Sequence, residues 1–116
     1  MTRSFGATQV LRGVDLSVEP GTLVALYGPS GSGKTTLLNL IGALDTPTSG
    51  SIMLAGAEVS AMRERRRAAL RRTKLGFIFQ NYTLMPTYTA LENLDLALRL
   101  AGVGVFERRR RANAAL

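Results

Sequence analysis

The chain contains no cysteine and no histidine. Without thiols there is no disulfide framework and no thiolate metal site. Without imidazoles there is no histidine ligand and no histidine general base. No apolar run approaches the roughly 20 residues that cross a bilayer. The start, Met1-Thr2-Arg3-Ser4-Phe5, lacks the apolar core of a secretory signal, so the cytoplasm is the default compartment. Acids are scarce, with 8 Asp and Glu against 15 Lys and Arg, a formal charge of +7. The excess lies in two stretches, Arg63 to Lys74 and Arg108 to Arg111. Such charge can attract nucleic acid or anionic lipid. The same runs lack interleaved aromatics on which bases stack, which suits a solvated helix face balanced by acids elsewhere. Nucleic acid is therefore not an expected partner. A length of 116 residues allows one domain or less.

What is present is concentrated in one stretch. Gly28-Pro29-Ser30-Gly31-Ser32-Gly33-Lys34-Thr35-Thr36 is G-x-x-x-x-G-K-[ST] without a mismatch, the phosphate-binding P-loop. A triphosphate needs many donors converging from a close backbone. Glycines at 28, 31 and 33 permit angles that let successive N–H groups face one concavity. Thr35 to Ile41 reads as a helix whose first turn aims orphan N–H groups and the positive dipole end at an anion. Lys34 would reach the β- and γ-phosphates, and the Thr35 hydroxyl would ligate Mg²⁺. Thr22-Leu23-Val24-Ala25-Leu26-Tyr27 is mostly apolar, the form of a strand buried on both faces of a parallel sheet. The competing reading is a flexible Gly/Ser-rich loop, which the flanking strand and helix patterns oppose.

Elsewhere, Val14, Leu16 and Val18 alternate with Asp15, Ser17 and Glu19, as in a half-exposed strand. Glu19-Pro20-Gly21 turns the chain. Gly42 is a candidate helix-ending C′ glycine. Asp45 to Gly50 is turn-rich, Ser51 to Leu54 a short strand, and Ser60 a candidate cap for a helix over about 61–72. Leu75-Gly76-Phe77-Ile78-Phe79 reads as another apolar strand ending at Gln80. Asn81 to Tyr88 is a polar and aromatic loop. Thr89-Ala90-Leu91-Glu92 is a capping box opening a helix, broken at Ala101-Gly102-Val103-Gly104. Phe106 to Leu116 reads as a basic helix. There is no internal repeat.

These motifs form an ordered set. The chain resembles the nucleotide-binding domain of ATP-binding cassette (ABC) transporters over nearly all its length. The resemblance is carried by Val10 to Leu16, the P-loop, Asp45-Thr46-Pro47-Thr48-Ser49-Gly50, Leu75 to Gln80, and Thr89 to Asn93. Within the family, the last two stretches look most like exporters of the lipoprotein-release and macrolide-efflux type. The resemblance implies an α/β fold: an incomplete P-loop NTPase core with an N-terminal antiparallel β part and the start of the helical subdomain. It implies ATP and Mg²⁺ as ligands, held by Gly28, Pro29, Ser30, Gly31, Ser32, Gly33, Lys34, Thr35 and Thr36. Phe5 matches the aromatic that stacks on adenine, usually a tyrosine; alternatively it is a terminal apolar residue packed on the sheet. Gln80 matches the glutamine that senses Mg²⁺ and the γ-phosphate, so Lys34 and Gln80 would serve the reaction and Thr35 and Gln80 the metal. Otherwise Gln80 is a polar strand terminus. The loop Asn81 to Thr89 lies where the family docks a membrane-spanning permease, consistent with Tyr82, Leu84, Met85 and Tyr88 being apolar; those side chains could instead fold onto their own core. A second ATP-binding domain would complete a dimer on ATP binding. The location implied is cytoplasmic, peripheral at the inner face of the cell membrane.

The family's LSGGQ signature, its strand ending in Asp-Glu and its switch histidine have no counterpart here. The missing carboxylates would complete the Mg²⁺ shell and polarise the attacking water. The chain therefore reads as residues 1–116 of the N-terminal part of such a domain, expected to bind ATP without hydrolysing it. A guanine-specifying Asn-Lys-x-Asp is also lacking. Three classes remain: a part of a transport ATPase, a non-hydrolysing nucleotide-binding module, and, less favoured, a basic nucleic-acid-binding protein.

Overall fold

A computed structural model describes residues 1–81 and 84–116, which fall into two units, Met1–Arg71 and Arg72–Leu116. In the first, β1 (Thr2–Phe5) pairs antiparallel with β2 (Thr8–Arg12). The phosphate-loop helix α1 (Lys34–Ile41) follows. A second hairpin pairs β3 (Met53–Leu54) with β4 (Ala57–Glu58). Its two-residue turn is Ala55-Gly56, at φ 48° and 78°, the doubly positive geometry that suits right-twisted strands. The first eight residues of helix α2 (Glu64–Lys74) close the unit, which ends at Arg71.

Apolar spacing explains the core. Leu37, Leu40 and Ile41 recur at i, i+3 and i+4, so they share one face of α1. That face meets Leu11 of β2, Ile52 and Val59, with Val10, Leu26, Met62 and Leu70 packed around it. Leu40 has no exposed surface, and truncating such a leucine to alanine removes about 2–5 kcal/mol of stability. The turn Asp45 to Gly50 docks on β1. Thr2 N–H donates to the Ser49 carbonyl at 2.9 Å, and Thr48 N–H to the Thr2 carbonyl at 2.9 Å. Gly50, at φ 85°, comes so close to β1 that a Cβ there would lie 2.7 Å from Met1 Cα.

The α1 terminus departs from expectation. Gly42 keeps φ −72°, and Ala43 takes the left-handed conformation at φ 54°. Ala43 N–H bonds the Leu40 carbonyl at 3.0 Å and Leu44 N–H bonds the Asn39 carbonyl at 2.8 Å, a Schellman ending with alanine at C′. The methyl group costs about 1–2 kcal/mol there. Its burial in the core and a 2.6 Å bond from Arg71 Nη1 to its carbonyl offset this. Ser60 does not cap α2. Its hydroxyl accepts from Ile52 N–H and donates to Glu58, so the helix begins only at Glu64.

Three expected strands are not strands. Residues 14–18, 22–27 and 75–79 have no ladder partner among the described residues. Instead of being buried on both faces, Leu23 and Tyr27 are almost wholly exposed, as is Ile78. The ladders among the described residues are thus two small antiparallel sheets. A parallel strand takes its hydrogen bonds from neighbours distant in sequence; in these runs only Val14 has such a backbone partner among the described residues, exchanging bonds with Met1 at 2.8 and 2.7 Å. Only Leu26 of the run 22–27 packs against the core.

The second unit holds α3 (Ala90–Leu100) and α4 (Val105–Ala115). The capping box at Thr89 forms as expected: Glu92 N–H bonds Thr89 Oγ1, and Thr89 N–H bonds Glu92 Oε2 at 2.7 Å. That bond from the Thr89 backbone holds the Glu92 carboxyl below its ordinary value of 4.5. In α4, hydrogen bonds from Arg110 and then Arg111 push Glu107 down to about 2.

The exposed apolar runs lead us to expect the isolated chain to bind a hydrophobic dye and scatter light increasingly with concentration. Leu23→Lys and Ile78→Lys should each raise the concentration at which scattering begins. A sharp, reversible thermal transition of a monomer would contradict this. Acid should also melt the second unit. Carboxyls depressed in the fold stabilise it above the unfolded value of 4.5 and lose that contribution as pH falls through their folded values, for Glu107 about 2. Far-UV circular dichroism should therefore show helix lost progressively below pH 4.5; helix content that holds steady down to pH 2 would refute this.

Candidate functional site

The phosphate loop takes its shape from two glycines. Gly33, at φ 92°, is the N-cap of α1, and a Cβ there would lie 2.9 Å from Leu11 Cδ2. The loop therefore rests on β2 as closely as a bare backbone allows. Gly31, at φ 79°, has open space around it and needs glycine for its angle alone.

Gly33 provides no side-chain cap. The first-turn N–H groups of α1 accordingly have no intrahelical acceptor and no side chain to bond. They border a depression of about 430 Å³ lined by Val10, Ser30 to Gly33, Lys34, Thr35 and Thr36. The Lys34 ammonium folds over the loop, 2.8 Å from the Gly28 carbonyl, 2.7 Å from the Pro29 carbonyl and 3.3 Å from Ser32 Oγ. Uncapped donors, a positive helix end and a cation beside an open depression fit a polyphosphate. The exposed Thr35 hydroxyl offers a hard oxygen ligand suited to Mg²⁺. No cluster of three His, Cys, Asp or Glu side chains that could hold a metal occurs among the described residues.

Of the expected phosphate-loop residues, Ser30 to Thr36 line this depression, while Gly28 and Pro29 meet Lys34 through their carbonyls. Phe5 ends β1 half exposed, paired with Thr8. Two residues along β2 from Thr8, Val10 lines the phosphate depression, a spacing of about 7 Å along a strand. Gln80 belongs to the second unit, where it is exposed at a bend. In the loop after it, Tyr82 and Thr83 lie outside the described residues. Leu84, Met85 and Tyr88 are each about half exposed or more.

Three residues to which sequence reasoning gave no structural role organise their own parts of the chain. Asn93 shapes the loop: its Oδ1 accepts from Met85 N–H at 2.8 Å, and its Nδ2 donates to the carbonyls of Met85, Tyr88 and Thr89. Its place one residue past the capping box was the only signal. Arg3 and Asp45 form an ion pair of 2.8 Å between β1 and the turn after α1, with no local signal at all. Among the basic runs, Arg67 and Arg71 share Glu64, Arg108 pairs with Asp95, and Arg110 and Arg111 share Glu107. Five of these arginines thus form ion pairs, Arg108 with a carboxylate of α3 and the other four with a carboxylate of their own helix.

The chain is similar to known proteins in sequence and in backbone. The sequence model of the family described as ABC transporter matches residues 11–116. The chain is 51% identical over 108 residues to an uncharacterized ABC transporter ATP-binding protein of Thermotoga maritima, covering 93% of this chain and 46% of that protein. It is 46% identical over 112 residues to the lipoprotein-releasing system ATP-binding protein LolD of Bacteroides thetaiotaomicron, covering 97% and 51%. With the macrolide export ATP-binding/permease protein MacB of Marinobacter nauticus it shares 47% identity over 120 residues, covering 100% and 19%. Its backbone is similar to a dimeric ATP-binding cassette solved in a post-hydrolysis state with ADP and phosphate, at TM-score 0.85 and 39% identity, covering 97% of this chain and 51% of that one. The chain spans about half the length of the first two relatives.

Replacing Gly33 by alanine adds a clash with Leu11 to the left-handed penalty of about 1–2 kcal/mol, whereas Gly31→Ala adds the penalty alone. Urea unfolding followed by circular dichroism should therefore place Gly33→Ala below Gly31→Ala in stability. Equal midpoints would show that the loop does not rest on β2 as described.

Proposed function

Because this chain belongs to the ABC transporter family, we propose that it is the N-terminal, nucleotide-holding part of an ATP-binding domain that binds Mg²⁺–ATP at Gly28 to Thr36. The observation that carries this is the uncapped start of α1 beside Lys34, facing an open depression. In this reading the first-turn N–H groups hold the β- and γ-phosphate oxygens. Lys34 leaves the Gly28 and Pro29 carbonyls and turns its ammonium to those phosphates. Thr35 holds the metal through its hydroxyl, and Gln80 senses metal and γ-phosphate. Mg²⁺, when bound, offsets charge on the phosphate oxygens and orders them. The Phe5 ring, on the same hairpin as Val10 of the depression, stacks the adenine.

Residues 1–116 contain no Asp-Glu pair to activate water, so we propose that on their own they bind ATP without turnover. In a complete domain, a second ATP-binding domain would face this one across the nucleotide, and a permease subunit would dock near Asn81 to Thr89. The exposed Leu84, Met85 and Tyr88 support that docking. The location would be cytoplasmic, peripheral at the inner face of the membrane. Resemblance to the lipoprotein-release and macrolide-efflux branch supports an export role.

Titration calorimetry with Mg²⁺–ATP tests the reading. Lys34→Ala should weaken binding at least about tenfold, the scale of a lost charge-assisted hydrogen bond, and no phosphate should be released above background. Unchanged affinity in Lys34→Ala would overturn the site. Measurable turnover would overturn the role given to the missing carboxylates.

A further inference from the structure

Arg3 has no part in the function proposed so far, yet it sits at the junction of the elements that build the site. It and Phe5 stand two apart on β1, so both side chains lie on one face of the strand. The Arg3 guanidinium carbon lies 4.4 Å from the centre of the Phe5 ring, over its face. On the other side, Arg3 Nη2 is 2.9 Å from Asp45 Oδ1 and 2.8 Å from Oδ2. Asp45 is itself held, since Oδ1 also accepts from Thr46 N–H at 2.7 Å. Arg3 Nε is buried without a hydrogen-bond partner. The guanidinium is therefore placed by the carboxylate and the ring rather than by complete hydrogen bonding.

This arrangement has a consequence for a nucleotide. Phe5 ends a short strand and is 49% exposed. A ring so placed would otherwise move among its staggered rotamers. The guanidinium covers one face and leaves the other for a base. Asp45 follows the end of α1, and the other end of the same helix presents the phosphate donors. The carboxylate thus ties the base platform to the element that holds the phosphates.

Resting on the nucleotide reading above, we propose that Arg3, tethered by Asp45, is a positioning residue for the purine ring: it fixes Phe5 so that its free face meets the base while the phosphates lie on α1. Arg3 touches neither phosphate nor metal in this assignment. Its contribution appears in recognition of the base and not of the polyphosphate.

The test compares affinity for Mg²⁺–ATP with affinity for Mg²⁺–tripolyphosphate, which has the phosphates and no base, using the 116-residue chain. Arg3→Ala and Asp45→Asn should weaken ATP about two- to fivefold, the scale of a cation–π contact, and leave tripolyphosphate unchanged. Arg3→Lys keeps the ion pair and serves if Arg3→Ala does not fold. It should also lose ATP affinity, because an ammonium does not stack flat on a ring. In a Phe5→Leu background none of these changes should weaken ATP further. Equal loss for both ligands, or no loss for either, overturns the positioning role while leaving the phosphate site standing. If the unsubstituted chain does not prefer ATP over tripolyphosphate, the base platform fails and this inference with it. If neither ligand binds, the nucleotide reading itself fails.

Discussion

The first unit depends on one close approach, the backbone of Gly33 against Leu11 of β2. The absent Cβ lets α1 lie near enough for Leu37 and Leu40 to leave water against Leu11, Ile52 and Val59. Apolar burial of this kind is the main favourable term available to a small unit. The same approach leaves the start of α1 uncapped at the surface. Packing and anion binding are thus two results of one missing methyl group.

The rest of the unit is arranged around that contact. Arg71 reaches back to the Ala43 carbonyl at the far end of α1 and pairs with Glu64. The turn Asp45 to Gly50 bonds β1 along its edge. Both tie the end of α1 to neighbouring elements, so the helix is anchored away from its phosphate-facing start. In the second unit the equivalent work falls to side-chain amide and carboxylate groups. Asn93 gathers the carbonyls of Met85, Tyr88 and Thr89, and Glu92 closes the cap.

The exposed runs 22–27 and 75–79 fit a chain spanning about half the length of the relatives it matches. Their composition suits strands buried on both faces, but composition supplies only one side of a ladder. Leu23, Tyr27 and Ile78 remain in solvent because no neighbouring backbone among the described residues takes their hydrogen bonds. The helices fared differently, since α1, α3 and α4 satisfy most of their backbone groups internally. Their positions follow from signals within a few residues: Thr89 with Glu92 caps α3, and glycines at 33 and 104 stand at the starts of α1 and α4. Local signals also misled at two ends. Gly42 offered the permissive backbone, yet Ala43 takes the left-handed turn because burial and the Arg71 bond hold it there. Ser60 offered a cap, yet its hydroxyl serves Ile52 and Glu58.

What the sequence alone determined is the chemistry of the loop: which residues can point backbone donors at an anion, with a lysine and a threonine beside them. Those properties depend on backbone angles and side-chain types over nine consecutive positions. What only the tertiary structure decided is how that loop is held and what stands near it. Leu11 under Gly33, Asp45 beside Arg3, and Arg3 over Phe5 are arrangements of the folded unit, with Arg3 and Asp45 42 residues apart in sequence. Such contacts arise when burial of the α1 face draws the hairpin and the turn together, and no short stretch of sequence records that event.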